Sequence, residues 1–160
     1  HRDIKPANLL WTPRNRLKIT DFGLAKMTRL DDMVGAATDD VSGYTGIVLL
    51  RRRKRAGDTT QSRIMGTPAY MSPEQIAQRR VSPAADLYSL GVTIFELATG
   101  ELPFRGGNVL RAHTEKPPPS PMALRPDLPE WLERTVLRCL EKDPSDRFVD
   151  AMSLRAAIPG

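Results

Sequence analysis

Apolar positions along the chain change character three times, and each change predicts a different kind of element. In residues 1–23 they come as short runs, Leu9-Leu10 and Leu17-Lys18-Ile19, flanking the turn-forming Pro13-Arg14-Asn15. That spacing predicts two short strands joined by a turn. Residues 24–65 show no sustained period and contain Asp31-Asp32, Asp39-Asp40 and four glycines, which predicts a long loop. Helical signals begin at Ser72-Pro73-Glu74-Gln75, with a capping serine, a proline at the first helical position and a glutamine three residues on.

Ser82-Pro83 repeats the start signal and Gly100 supplies a stop. Between them Leu87, Leu90, Val92, Ile94, Phe95, Leu97 and Ala98 leave little room for a polar face, so this helix belongs at the centre of a domain. Residues 117–121, Pro-Pro-Pro-Ser-Pro, predict an extended connection. Trp131, Leu132, Thr135, Val136, Cys139 and Leu140 then recur at helical spacing. Asp143-Pro144 ends that helix, and a last short one is expected over residues 148–157. The fold class is therefore mainly α, with one short β-hairpin near the start.

Composition changes this picture little. The 160 residues are 40% hydrophobic, as in globular chains, and can bury one sizeable core. The longest aliphatic stretch, Ile47-Val48-Leu49-Leu50, is far too short to span a bilayer. A single cysteine excludes an internal disulfide and any multi-cysteine metal site, and fits a reducing, cytoplasmic setting. Cys139 shares the face of Leu132 and Val136 and is expected in the core, whereas His113, with no neighbouring ligand, is expected at the surface.

The net charge of +5 equals the charge of residues 51–55, Arg-Arg-Arg-Lys-Arg, so the remainder balances to zero. A nuclear-targeting or nucleic-acid patch is the lesser reading of that run. No aromatic residue accompanies it, and a solvated basic loop accounts for it.

Three motifs carry chemistry. His1-Arg2-Asp3-Ile4-Lys5-Pro6-Ala7-Asn8 has the form H-R-D-x-x-x-x-N, and Asp21-Phe22-Gly23 follows thirteen residues after Asn8. Gly66-Thr67-Pro68-Ala69-Tyr70-Met71-Ser72-Pro73-Glu74 ends in a form of A-P-E with Ser72 in place of alanine. A phosphoryl group in transfer spreads negative charge over its oxygens, so the residues needed are those that position and neutralise. Asp21 and Asn8 offer a carboxylate and an amide oxygen to a hard cation such as Mg²⁺. Asp3 is suited to orient a substrate hydroxyl and accept its proton. Lys5, two residues on in an extended loop, points the same way toward the phosphate.

With these motifs in this order the chain resembles the eukaryotic-like (Hanks-type) serine/threonine protein kinases. The run Gly-Thr-Pro-Ala-Tyr-Met-Ser-Pro-Glu-Gln leans toward their bacterial members. The resemblance implies a C-terminal kinase lobe starting at the catalytic loop, with the hairpin around that loop and the D-F-G motif. It divides residues 1–160, a partial kinase domain, into catalytic loop and D-F-G (1–23), activation segment (24–74) and helical lobe (75–160). The glycine-rich loop, its lysine and the adenine hinge have no counterpart, so the N-terminal lobe is expected to be missing. The activation segment, 54 residues from Asp21 through Glu74 inclusive, is longer than usual, and the excess falls at about residues 28–57.

The resemblance also implies individual roles. Asp3, Lys5 and Thr67 would be catalytic, with Lys5-Pro6 the serine/threonine form of the loop and Thr67 favouring Ser/Thr hydroxyls. ATP would be met by Lys5, Asn8, Leu10 under the adenine, and Asp21, with Mg²⁺, or Mn²⁺ in its place, on Asn8 and Asp21. His1 and Phe22 would stack in the regulatory spine beside Gly23, and Asp86 would anchor the catalytic-loop backbone. Glu74 and Arg147 would pair at the end of the activation segment. Arg2 would receive an activating phosphate, for which Thr59, Thr60 and Ser62 are candidates.

The expected activity is transfer of the ATP γ-phosphate to Ser or Thr of protein substrates, with the chain inactive alone. The expected partners are those substrates and the missing lobe or another kinase. Two alternatives are a non-catalytic lobe that binds proteins and, less favoured, a basic-loop nucleic-acid binder.

Overall fold

The computed structural model describes residues 1–21 and 68–159. Phe22, Gly23, Thr59, Thr60, Ser62, Thr67, the basic run 51–55 and the expected insert at about 28–57 lie outside the described residues.

The described residues are mainly helical and carry a two-stranded antiparallel sheet. Strand β1, Leu9–Trp11, pairs with β2, Leu17–Ile19, in the register Leu9↔Ile19, Leu10↔Lys18, Trp11↔Leu17. The turn between them closes through Thr12 and Arg16, whose main chains bond at 2.9 Å. Asn15 takes a positive φ of 58°, which asparagine tolerates better than most residues.

Helix α1, Pro73–Ile76, is a single turn begun by a reciprocal cap. The Ser72 hydroxyl accepts from the Gln75 amide, and the Gln75 side chain accepts from the Ser72 amide at 3.0 Å. Helix α2, Ala84–Thr99, is the axis of the structure and ends on Gly100 in the left-handed region at φ 77°. It packs chiefly against α4, Glu130–Cys139. Tyr88, Val92 and Phe95 of α2 form a fully buried cluster with Val136 and Leu140. Leu87 joins Cys139, Phe148 and Leu154 in a second.

The two helices approach most closely at Gly91, where a Cβ would lie 2.6 Å from that of Cys139. Cys139 is in the core, and burial pushes its thiol up to about 12. Leu97 departs from the all-apolar picture, being exposed near the end of α2.

Helix α3, Val109–Glu115, starts at an Asn108 side-chain cap and leads into the extended prolines, which run to a single 3-10 turn at Pro121–Ala123. The last helix, α5, spans Ala151–Ala156, starting later than the 148–157 expected. Asp150 and Ser153 cap it reciprocally, while Phe148 stays outside the helix, buried under the Arg138 guanidinium at 4.4 Å. Among the described residues no helix is long and apolar enough to cross a membrane.

Candidate active site

The residues before the hairpin form a tight loop held by side chains. A 3-10 turn at Pro6–Asn8 brings Asn8 back over Asp3, and the buried Asn8 amide donates to the Asp3 main-chain oxygen at 2.7 Å and to its carboxylate at 3.0 Å. Lys5 Nζ lies 2.9 Å from the same carboxylate. Asp3, Lys5 and Asn8 are therefore one connected group. Because the Asn8 nitrogen faces Asp3, its amide oxygen is left as the acceptor.

The hairpin delivers the next carboxylate to this loop. The Thr20 amide and hydroxyl both donate to the Asn8 main-chain oxygen, at 2.9 and 3.2 Å, extending the strand pairing by one step. Asp21 follows, exposed, with φ 63°. Its placement beside the Asn8 end of the loop is thus set by main-chain bonds. An amide oxygen and an exposed carboxylate are hard oxygen donors, and they suit Mg²⁺, which binds through one or two protein oxygens plus phosphate and water. Groups of three or more potential metal-binding side chains do not occur among the described residues.

Asp86, in the first turn of α2, receives the His1 main-chain nitrogen at 2.9 Å and the Arg2 amide at 2.7 Å. Arg2 takes a positive φ of 69°, and its main-chain oxygen accepts from the Gln75 side chain at 3.3 Å. The loop is thereby tied to both α2 and α1. His1 Nε2 contacts the Thr20 main-chain oxygen at 2.7 Å. Leu10 on β1 is 54% exposed, as is much of the hairpin around it.

With this geometry in view, comparison with known proteins settles the family. The sequence model of the protein kinase domain matches residues 1–156. The chain belongs to the protein kinase family. It is 38% identical to serine/threonine-protein kinase pkn3 of Myxococcus xanthus, over 99% of this chain and 27% of that protein. It is 38% identical to serine/threonine-protein kinase PknA of Mycobacterium tuberculosis, over 92% of this chain and 28% of that protein. PknB of Mycolicibacterium smegmatis is 32% identical, over 99% and 22%. The kinase chain thus spans about a fifth to a little over a quarter of the curated relatives it matches. The relatives are bacterial serine/threonine kinases of the Hanks type, a family of phosphotransferases that generally uses ATP and Mg²⁺.

Residues 68–74 lead into α1, whose Gln75 side chain meets this kinase chain's loop at Arg2. Glu74 and Arg147 are both buried and meet fork to fork, with Nη1–Oε1 at 2.8 Å and Nη2–Oε2 at 2.9 Å. The same guanidinium donates to the main-chain oxygens of Glu141, Lys142 and Ala84. Burial raises the Glu74 pKa, but the hydrogen bonds and charge of Arg147 outweigh it and hold the carboxyl below its ordinary value.

Tyr70, just upstream, donates its hydroxyl to Glu96 on α2, while its main-chain oxygen accepts from Ser89 at 2.8 Å. Burial, with the Glu96 carboxylate beside it, pushes the phenol well above its usual range.

His113 corrects an expectation. It is fully buried, not at the surface, with Nδ1 2.8 Å from the Tyr88 hydroxyl and its ring edge-on to Phe104 at 4.8 Å. Burial and the nearby Lys142 ammonium lower it to about 4. Lys142 sits 4.4 Å over the Phe104 ring, its amine buried and lowered to about 8 by desolvation. The seven-residue α3 offers too little periodic context for the sequence to reveal this burial. Ser89, Glu96, Tyr88 and Lys142 were likewise not singled out from sequence, since each sits among residues that read simply as core or surface.

Proposed function

We propose that residues 1–160 supply the metal-binding and hydroxyl-binding half of a protein serine/threonine kinase site, as a C-terminal lobe beginning at its catalytic loop. The carrying observation is the connected group Asp3–Lys5–Asn8, with the main-chain bonds of Thr20 leading to Asp21.

In this proposal Asp3 orients the Ser or Thr hydroxyl of a protein substrate and accepts its proton as the oxygen attacks the γ-phosphorus of ATP. The proton leaves the hydroxyl for the carboxylate, and the γ-phosphoryl group passes from ADP to the substrate oxygen. Lys5, already on the Asp3 carboxylate, is placed to neutralise charge on the transferring group. Asn8 and Asp21 would hold Mg²⁺, which supplies charge neutralisation at the phosphates when bound. Leu10 would lie under the adenine, and Thr67 would favour Ser/Thr hydroxyls.

Asp86 acts in the proposal as the anchor of the loop backbone, and the Glu74–Arg147 pair as the base of the substrate platform at residues 68–74. Arg2 would receive a phosphate on Thr59, Thr60 or Ser62, and His1, Phe22 and Gly23 would belong to the regulatory stack.

Residues 1–160 contain no glycine-rich phosphate loop with its lysine, so the 160-residue polypeptide alone is expected to transfer little or no phosphate. A complete enzyme is expected to require that lobe. The test is radiolabelled γ-phosphate transfer to casein, with the chain alone and joined to an N-terminal kinase lobe, each as the wild type and as the Asp3→Asn variant. Transfer that needs both the added lobe and the Asp3 carboxylate is the expected result. Transfer unchanged by Asp3→Asn would overturn the catalytic assignment.

A second reading, a lobe that docks on other proteins without catalysis, is favoured by one observation. Leu10, Trp11, Leu17 and Ile19 of the hairpin are 39–66% exposed, an apolar surface of the kind partners cover. Stable binding to a separate N-terminal kinase lobe without phosphate transfer would favour it.

A further inference from the structure

We infer that the tip of the hairpin is a docking surface for an acidic segment of a partner protein, received on Arg14, Arg16 and Lys18. The docking is independent of phosphate transfer.

Residues 9–20 carry these three cations and no carboxylate. All three are exposed, and none forms an ion pair among the described residues. Elsewhere Lys5, Arg105, Arg111, Arg125, Arg134 and Arg147 each hold a carboxylate of their own chain. Like charges gathered on one turn repel, and an anionic partner relieves that repulsion.

The backbone that carries the cations is set in advance. The Thr12 amide and hydroxyl both donate to the Arg16 main-chain oxygen, at 2.9 and 3.0 Å, and the Arg16 amide donates back to the hydroxyl at 3.1 Å. The Asn15 amide donates to the Thr12 oxygen at 3.0 Å, and the Trp11 indole to the Asn15 side chain at 3.1 Å. A partner therefore loses little binding energy to ordering this turn.

Arg16 and Lys18, two residues apart, share a face of the hairpin. With Arg14, Thr12 and Pro13 they line an open cleft of about 330 Å³. Trp11 and Leu17, directly opposed in the register, lie on the other face. The cleft thus has no aromatic ring on which a base could stack, which disfavours nucleic acid. A small free anion would neutralise one exposed cation and leave the others. An extended acidic segment instead repeats its carboxylates about every 6.6 Å, the interval that separates Arg16 from Lys18. Pro13 and the methylene stems of the three cations add apolar contact along it.

The probe is a fluorescein-labelled octapeptide of glutamate, with octaglutamine, inorganic phosphate and an eight-nucleotide thymidine oligomer as comparisons. Anisotropy titrations use the chain alone and joined to an N-terminal kinase lobe. Both carry glutamine at residues 51–55, so that the basic run does not compete. The glutamate peptide is expected to bind both forms, and the glutamine peptide neither. Arg16→Gln with Lys18→Gln is expected to weaken binding about fivefold, as two exposed ion pairs are lost. Arg79→Gln with Arg80→Gln, exposed arginines just after α1, should have no such effect. Circular dichroism matching the parent chain shows that each variant is folded.

In ¹H–¹⁵N spectra of the wild-type 160-residue chain, the peptide should move the amides of residues 12–18. Equal weakening by both variant pairs, or no binding, overturns the inference. Tighter binding of the oligonucleotide overturns it in favour of nucleic acid, and displacement by inorganic phosphate in favour of a simple anion site. Binding to the chain alone but not to the joined form overturns it too, since the other lobe then covers the turn.

Discussion

The Asn8 amide nitrogen donates at once to the main-chain oxygen of Asp3, at 2.7 Å, and to its carboxylate, at 3.0 Å. One buried side chain thereby sets both the path of the loop and the rotamer of the carboxylate that the loop displays. A donor is required there. Asn8→Asp replaces it with a second carboxylate against the first, and like charges at this range raise one of the two pKa values. The variant is expected to be destabilised at pH 7 by about 2 kcal/mol and to recover on acidification toward pH 5, as one carboxyl gains a proton. Urea midpoints at the two pH values check this, and a deficit equal at both would contradict it.

Arg147 has no exposed surface to speak of, and the Glu74 carboxylate is its ion-pair partner among the described residues. Arg147→Leu leaves Glu74 buried and unpaired and is expected to cost about 3–5 kcal/mol. Glu74→Gln, which preserves the shape and one acceptor, should cost less. Thermal melts of the two variants give the order, and a mild Arg147→Leu would show that water reaches the pair.

The pH dependence of stability follows from His113. Its folded value, about 4, lies below the ordinary 6.5 of the unfolded chain. Between those values the unfolded state binds more protons, so the His113 contribution to stability is full above pH 6.5 and is lost as pH falls toward 4. The loss is on the order of 3 kcal/mol across the window. Glu74, held below its ordinary value, adds loss in the same direction as pH falls through its own folded pKa. His113→Gln should remove the first part and leave the second, which Tm against pH resolves.

Gly91 is needed for the α2–α4 crossing, because an added Cβ would meet that of Cys139 at 2.6 Å. Gly91→Ala is expected to destabilise by about 1–3 kcal/mol despite the better helix propensity of alanine. Cys139→Ala keeps the clashing carbon and should not rescue it. A double variant melting like the wild type would refute this packing account.

The Cys139 thiol, pushed up to about 12 in the core, should resist iodoacetamide in the folded chain and react in denaturant. Mass spectrometry before and after addition of urea reads this directly.

Local signals made the hairpin and the starts of α1 and α2 legible. Pro13-Arg14-Asn15, Ser72-Pro73 and Ser82-Pro83 act through their own neighbours, and the structure honours all three. Helix α4 was legible because one face repeats regularly from Trp131 to Leu140. The start of α5 was not, since the Asp150–Ser153 cap prevails over the apolar Phe148. His113 was missed for a different reason. In a seven-residue helix a lone histidine carries too little periodic context to reveal burial, and its partners Tyr88, Phe104 and Lys142 come from three distant stretches. The motif residues of the loop were legible as residue types, while their hydrogen-bonded order depends on folding. What the sequence suggested for residues 22–67 lies outside the described structure.

The Glu74–Arg147 pair also has a consequence in time. At about 5–20 residues per second, a ribosome adds residue 147 several seconds after residue 74. Through that interval a carboxylate destined for the interior has no counter-charge, so α1 and the residues before it have reason to stay open. This part of the fold is locked by a side chain made 73 residues after its partner, and a chain halted before residue 147 should remain sensitive to protease around residues 68–80.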